Sequence, residues 1–188
     1  NFTIVDVDGD GHKLQQYNRL LFCDSKKRIW AGGEMGISVF NQVGTSLLPN
    51  TDFQIASVLK QAFVNCFYET SSGYLWIGTR NGLFALKESD KQFLQYTTEN
   101  GLPSNVIYGI LEDAYGRLWI STNQGLSCLN SESGKFRNFT IMDGLQGNQF
   151  NAGAYCRKDN GYMLFGGVNG ITSFRPETLI DNPYAPKP

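Results

Sequence analysis

Apolar residues in this chain come in short runs of about four to eight, punctuated by Gly, Asn, Asp and Ser. Val106-Ile107-Tyr108-Gly109-Ile110-Leu111 ends on the acids Glu112-Asp113, and Leu118-Trp119-Ile120 follows after a turn. Phe63-Val64-Asn65-Cys66-Phe67-Tyr68 leads in the same way to Glu69-Thr70 and Leu75-Trp76-Ile77. No stretch sustains the 3.6-residue period of a helix; Asp52 to Gln61 fits one helical turn at most. The pattern predicts an all-β chain of short strands joined by tight turns.

The strands repeat. Gly73-Tyr74-Leu75-Trp76-Ile77-Gly78-Thr79 leads to Gly82-Leu83, and Gly116-Arg117-Leu118-Trp119-Ile120-Ser121-Thr122 leads to Gly125-Leu126. Weaker copies run from Lys27 to Ile37 and from Gly161 to Ile171, placing the core position at 30, 76, 119 and 164. An aromatic strand follows each strong copy, at Phe93-Leu94-Gln95-Tyr96 and at Phe136-Arg137-Asn138-Phe139. Asn1-Phe2-Thr3-Ile4-Val5-Asp6 echoes Asn138-Phe139-Thr140-Ile141-Met142-Asp143. Four strands per roughly 40–50 residues is the period of a β-propeller blade. The expected divisions are residues 1–12, the last strand of a preceding blade with its connection; 13–58, 59–103 and 104–148, three blades; 149–178, a closing blade; and 179–188, a linker. The closing blade lacks an outer strand, which the leading strand is placed to supply.

Blades pack face to face, so Trp30, Trp76 and Trp119, at one repeat position, read as packing residues rather than ligand platforms. A ligand-stacking ring would fall in one blade only. Gly78 suits close approach of a neighbouring blade, and Gly82 and Gly125 suit turns with positive φ.

Composition narrows the function. The 188 residues carry 16 basic and 17 acidic side chains, a formal net charge of -1, which argues against a nucleic-acid partner. No apolar run has membrane-spanning length, so no membrane contact is expected in this segment, and the stretch from Asn1 does not read as a leader. Cys23, Cys66, Cys128 and Cys156 show no metal-binding spacing and read as small buried residues without disulfides. The one histidine, His12, has no local catalytic partners, and Glu69, Glu112 and Asp113 read as turn-forming acids. Asp6, Asp8 and Asp10 resemble half of a calcium loop, but Tyr17 stands where its bidentate Glu belongs, so a polar turn is preferred. No catalytic residue, cofactor or metal is expected.

The run Glu112-Asp113-Ala114-Tyr115-Gly116-Arg117-Leu118-Trp119-Ile120-Ser121-Thr122 resembles the two-component regulator propeller repeat, as does Leu75-Trp76-Ile77-Gly78-Thr79 with Gly82-Leu83. Lys27 at the turn Gly, Gly33 at the Thr and Leu164 at the Trp depart from it. The resemblance implies about four C-terminal blades of a seven-bladed propeller. It further implies the periplasmic sensor region of a hybrid two-component histidine kinase, with a β-sandwich domain, membrane helix and kinase beyond the Pro-rich tail. By that resemblance the ligand is an oligosaccharide, the receptor pairs with another copy of itself, and this segment does no chemistry. A protein-interaction or dimerisation scaffold is the alternative. A propeller lyase or hydrolase is less favoured, because no His–Glu constellation stands here.

If the inner strands begin near Asn105-Val106 and Asn151-Ala152, the loops before them border the central channel. The candidate ligand residues there are Ser104, Asn105, Tyr108, Asn148, Gln149, Phe150, Asn151 and Tyr155. Amides hydrogen-bond sugar hydroxyls and rings stack on apolar sugar faces. The competing reading is that these amides cap turns between blades.

Overall fold

The computed structural model describes residues 18–44, 46–50, 59, 61–90 and 92–179. The leading strand, the half calcium motif at Asp6, Asp8 and Asp10, His12 and the tail beyond Leu179 lie outside them. Among the described residues, fifteen strands form four antiparallel sheets, each built from consecutive strands. The first holds β1 (Asn18–Cys23), β2 (Arg28–Gly33), β3 (Gly36–Val43) and β4 (Ser46–Pro49). The second holds β5 (Val64–Glu69), β6 (Leu75–Thr79), β7 (Leu83–Lys87) and β8 (Gln92–Tyr96). The third holds β9 (Ile107–Glu112), β10 (Leu118–Thr122), β11 (Gly125–Asn130) and β12 (Lys135–Phe139). The fourth has three described strands, β13 (Phe150–Arg157), β14 (Met163–Gly167) and β15 (Gly170–Phe174). This is the expected all-β blade architecture.

The strands β6 and β10 are buried at all five positions, because a neighbouring sheet covers each face. The repeated tryptophan reaches from each sheet toward the next. Trp30 packs with Val64, Phe67 and Ile77; Trp76 with Ile107, Ile110 and Ile120; Trp119 with Phe150, Met163 and Phe165. Each pairs across its own sheet with an inner-strand residue, Phe22, Tyr68 or Leu111. All three tryptophans are buried. In the fourth sheet the corresponding pair is Leu164 and Cys156. That face is open: Cys156 is exposed and Ile171 is 66% exposed.

Glycine placement follows from this stacking. A Cβ on Gly78 would collide with Cys66 Sγ and lie 2.7 Å from Ile107 Cγ2 of the next sheet. Gly82 and Gly125 have φ of 119° and 123°, which their hairpin turns require. The cysteines divide. Cys66 and Cys128 are buried, and burial pushes the Cys66 thiol up to about 12. Cys23 and Cys156 are exposed, contrary to the expectation of four buried thiols, because they lie on the first and last described inner strands rather than between two sheets.

Candidate functional site

The turn after each inner strand is a hydrogen-bonded knot in the first and third sheets. Asp113 Oδ1 accepts from the backbone N–H of Tyr115 (2.9 Å) and Arg117 (3.0 Å). Its Oδ2 accepts from Arg117 Nε (2.7 Å) and Trp119 Nε1 (3.0 Å). Asp24 does the same with Lys26, Arg28 and Trp30. Burial raises the Asp24 carboxyl's pKa, but the bonds from Trp30 and Arg28 outweigh it and hold the group below its ordinary value. The second sheet has Thr70 and Tyr74 instead of the Asp and Arg. Thr70 Oγ1 accepts from Tyr74 N (3.1 Å), and Trp76 Nε1 is buried without a partner.

The acids before these turns do something the sequence reading missed. Glu69 accepts from both the N–H and the hydroxyl of Ser25 in the preceding sheet, each at 2.7 Å. Glu112 accepts from Ser71 N and Oγ, each at 3.0 Å. They are latches between sheets, whereas Asp113 forms the turn as expected. At the third boundary Ala114 stands in place of the serine and Arg157 in place of the glutamate, and Arg157 donates to the Glu112 carbonyl at 2.8 Å. The signal was present: the serine follows the turn Asp or Thr directly, and the glutamate that reaches it lies one repeat later.

The candidate ligand residues lie at the opposite end of the inner strands, and the structure separates them. Ser104 is buried and accepts from Val106 N (3.0 Å). Asn105 Oδ1 accepts from Thr98 N (2.8 Å), and Asn148 Oδ1 accepts from Ile141 N (2.8 Å). These two asparagines do one job in two repeats, tying a 3-10 turn to the next inner strand. The Gln149 carbonyl accepts from Val168 N (3.2 Å). Phe150 is buried against Phe165, ring centroids 6.2 Å apart. Tyr155 stacks on Phe165 and fills the space that Gly109 leaves open; burial raises its hydroxyl pKa. Tyr108 is half-buried, and Asn151 and the Gln149 side chain are exposed. Of the eight, Asn148, Gln149 and Asn151 are exposed, and the Asn148 Oδ1 is already engaged by Ile141 N. Among the described residues, no group of three His, Cys, Asp or Glu side chains could hold a metal ion.

Two further features were not anticipated. A cavity of about 220 Å³ at the first boundary is lined by Asp24, Lys26, Arg28, Glu69 and Glu88; Arg28 pairs with Asp24 and, at 2.5 Å, with Glu88, which also pairs with Lys26, and Glu69 is held by Ser25. At the third boundary Tyr115 is 68% exposed with the Arg117 guanidinium 5.2 Å from its ring centre, and Tyr162 is 39% exposed with Arg175 at 5.5 Å. Arg117 donates to the Pro176 carbonyl (3.3 Å) and Arg175 to the Asn160 carbonyl (2.9 Å).

The model of the two component regulator propeller family matches residues 59–81 and 101–124, which contain β5, β6, β9 and β10 with their turns. The chain carries two-component regulator propeller repeats. Histidine kinase P4 of Formosa agariphila is 32% identical over all of this chain, which spans 14% of that protein. The crystal structure of the extracellular domain of the putative hybrid two component system BT3049 from B. thetaiotaomicron superposes with a TM-score of 0.79 at 25% identity. That match covers 93% of this chain and 24% of the other. A virginiamycin B lyase from Staphylococcus aureus, at 18% identity and a TM-score of 0.58 over 84% of this chain and 55% of its own, shares the fold alone. No helix among the described residues is long and apolar enough to cross a membrane.

Proposed function

We propose that these regulator propeller repeats are part of the periplasmic sensor region of a hybrid two-component system. The segment recognises an oligosaccharide and passes the signal to a histidine kinase elsewhere in the protein. One observation carries the reading: the BT3049 extracellular domain superposes on 93% of this chain, so the likeness covers the array and not one motif. The alignment of the whole of this chain with 14% of a histidine kinase agrees with it. The end of the sheets bearing Asn151 and Gln149 offers amides suited to sugar hydroxyls. A glycan array probed with this chain tests the reading. Retention of a defined oligosaccharide class, weakened by Asn151→Ala with an unchanged melting temperature, supports it. An array with no retained saccharide contradicts it. Asn105 is the wrong residue for that test, because its side chain ties down a turn.

A second reading, pairing with another copy, has the open face of the fourth sheet in its favour, where Cys156 and Ile171 are exposed. Sedimentation velocity over a range of concentrations separates the two readings. A concentration-dependent dimer that Ile171→Asp abolishes supports the second.

A further inference from the structure

Tyr115 breaks the logic of the repeat. The same turn position holds Lys26, Ser72 and Asn160 in the other sheets, so packing does not demand a ring there. A ring 68% exposed contributes little to the core. Tyr162, in the next sheet, is also partly exposed, and each ring carries a guanidinium on it. The two stacks are joined. Arg117 reaches the carbonyl of Pro176, whose chain neighbour Arg175 covers Tyr162 and bonds to the Asn160 carbonyl. The result is one strip across the third boundary, Tyr115–Arg117–Arg175–Tyr162, at the far end of the inner strands from Asn151.

We propose that this strip binds an acidic saccharide, a sugar bearing a carboxylate or a sulfate. The chemistry of each part fits that class. A guanidinium presents donors in a planar fork that matches carboxylate and sulfate oxygens. A tyrosine ring offers an apolar face for the C–H face of a sugar and a hydroxyl at its edge. Two ring–guanidinium stacks on neighbouring sheets repeat the pair, as an oligomer of charged sugars repeats its own units. Arg117 is partly committed to Asp113, so Arg175 on its exposed segment is the more adaptable of the two cations. The proposal rests on the sensor reading only for the expectation that a saccharide is the signal.

The test is calorimetric titration of the 188-residue chain with trigalacturonate, a sulfated but carboxylate-free carrageenan tetrasaccharide and neutral cellotriose. The strip predicts binding of a charged oligosaccharide and not of cellotriose, with the carboxylated and sulfated probes telling the two anions apart. Tyr115→Ala and Arg175→Gln should each weaken that binding about tenfold or more while the melting temperature holds. Arg117 is unsuitable, since its loss also frees Asp113. Failure of both charged probes to bind, or wild-type affinity in both variants, overturns the proposal. Cellotriose binding that depends on Asn151 and not on Tyr115 overturns the strip and leaves the sensor reading standing.

Discussion

The second and third sheets share strand order, register and a fully buried Leu-Trp-Ile strand, yet they hold their tryptophans differently. Trp119 is bonded to a buried carboxylate that also binds Arg117 and two backbone N–H groups. The second sheet has Thr70 where the third has Asp113, and Trp76 Nε1 is unpartnered. One repeat tolerates both because stacking between sheets supplies most of the burial and the polar knot adds to it. The comparison also separates repeated positions, which build the array, from Tyr115, which does not.

Removing the knot should have the largest effect. Asp113→Ala strands Arg117, Trp119 Nε1 and two N–H groups, and a loss of about 3–5 kcal/mol is expected. Thr70→Ala at the matching position should cost about 1 kcal/mol. Urea denaturation of the two variants reads the difference, and equal losses would show that the knot adds nothing. The first sheet supplies an acid arm. The Asp24 pKa is lowered in the folded state, so its contribution is present above the ordinary value of 3.8 and lost as pH falls through the folded value. Asp24→Asn should flatten that acid limb of the stability curve.

Next comes the latch. Glu112→Ala leaves Ser71 N and Oγ without their acceptor and should cost about 1–3 kcal/mol. In a double-mutant cycle with Ser71→Ala the two losses should fall well short of adding. Additive losses would mean that the two groups do not act as one contact.

Converting the second sheet into the third is a smaller and more demanding change. Thr70→Asp with Tyr74→Arg gives Trp76 Nε1 an acceptor and the carboxylate a cation, for a gain of about 1 kcal/mol. Thr70→Asp alone buries a charge without its guanidinium and should destabilise. The smallest effect belongs to Lys27, a non-glycine residue at φ 60° where the other three turns have Gly73, Gly116 and Gly161. Lys27→Gly should stabilise by about 0.5–1 kcal/mol in thermal melts.

Much of the architecture was legible because it is periodic. The spacing of Trp30, Trp76 and Trp119, with acids before and Gly after, marks sheets, turns and the packing face at once. The candidate site was less legible. Asn105 and Asn148 have the chemistry of sugar ligands, but amides that cap turns look the same in sequence, and only their shared repeat position hinted at the difference. Phe150 and Tyr155 were read as accessible rings, yet a neighbouring sheet covers them. Arg175 reaches Tyr162 from beyond β15, and nothing local in the sequence records that approach.

Asp113 and Tyr115 lie two residues apart in one turn, and the account assigns them opposite tasks. The decisive measurement is the melting temperature of wild type, Asp113→Ala and Tyr115→Ala, with and without the charged oligosaccharide, carboxylated or sulfated, that binds in the titration. The account predicts that Asp113→Ala melts far lower without ligand, while Tyr115→Ala melts like wild type and loses the ligand-induced rise. A Tyr115→Ala protein that melts low, or that keeps the full rise, would contradict it.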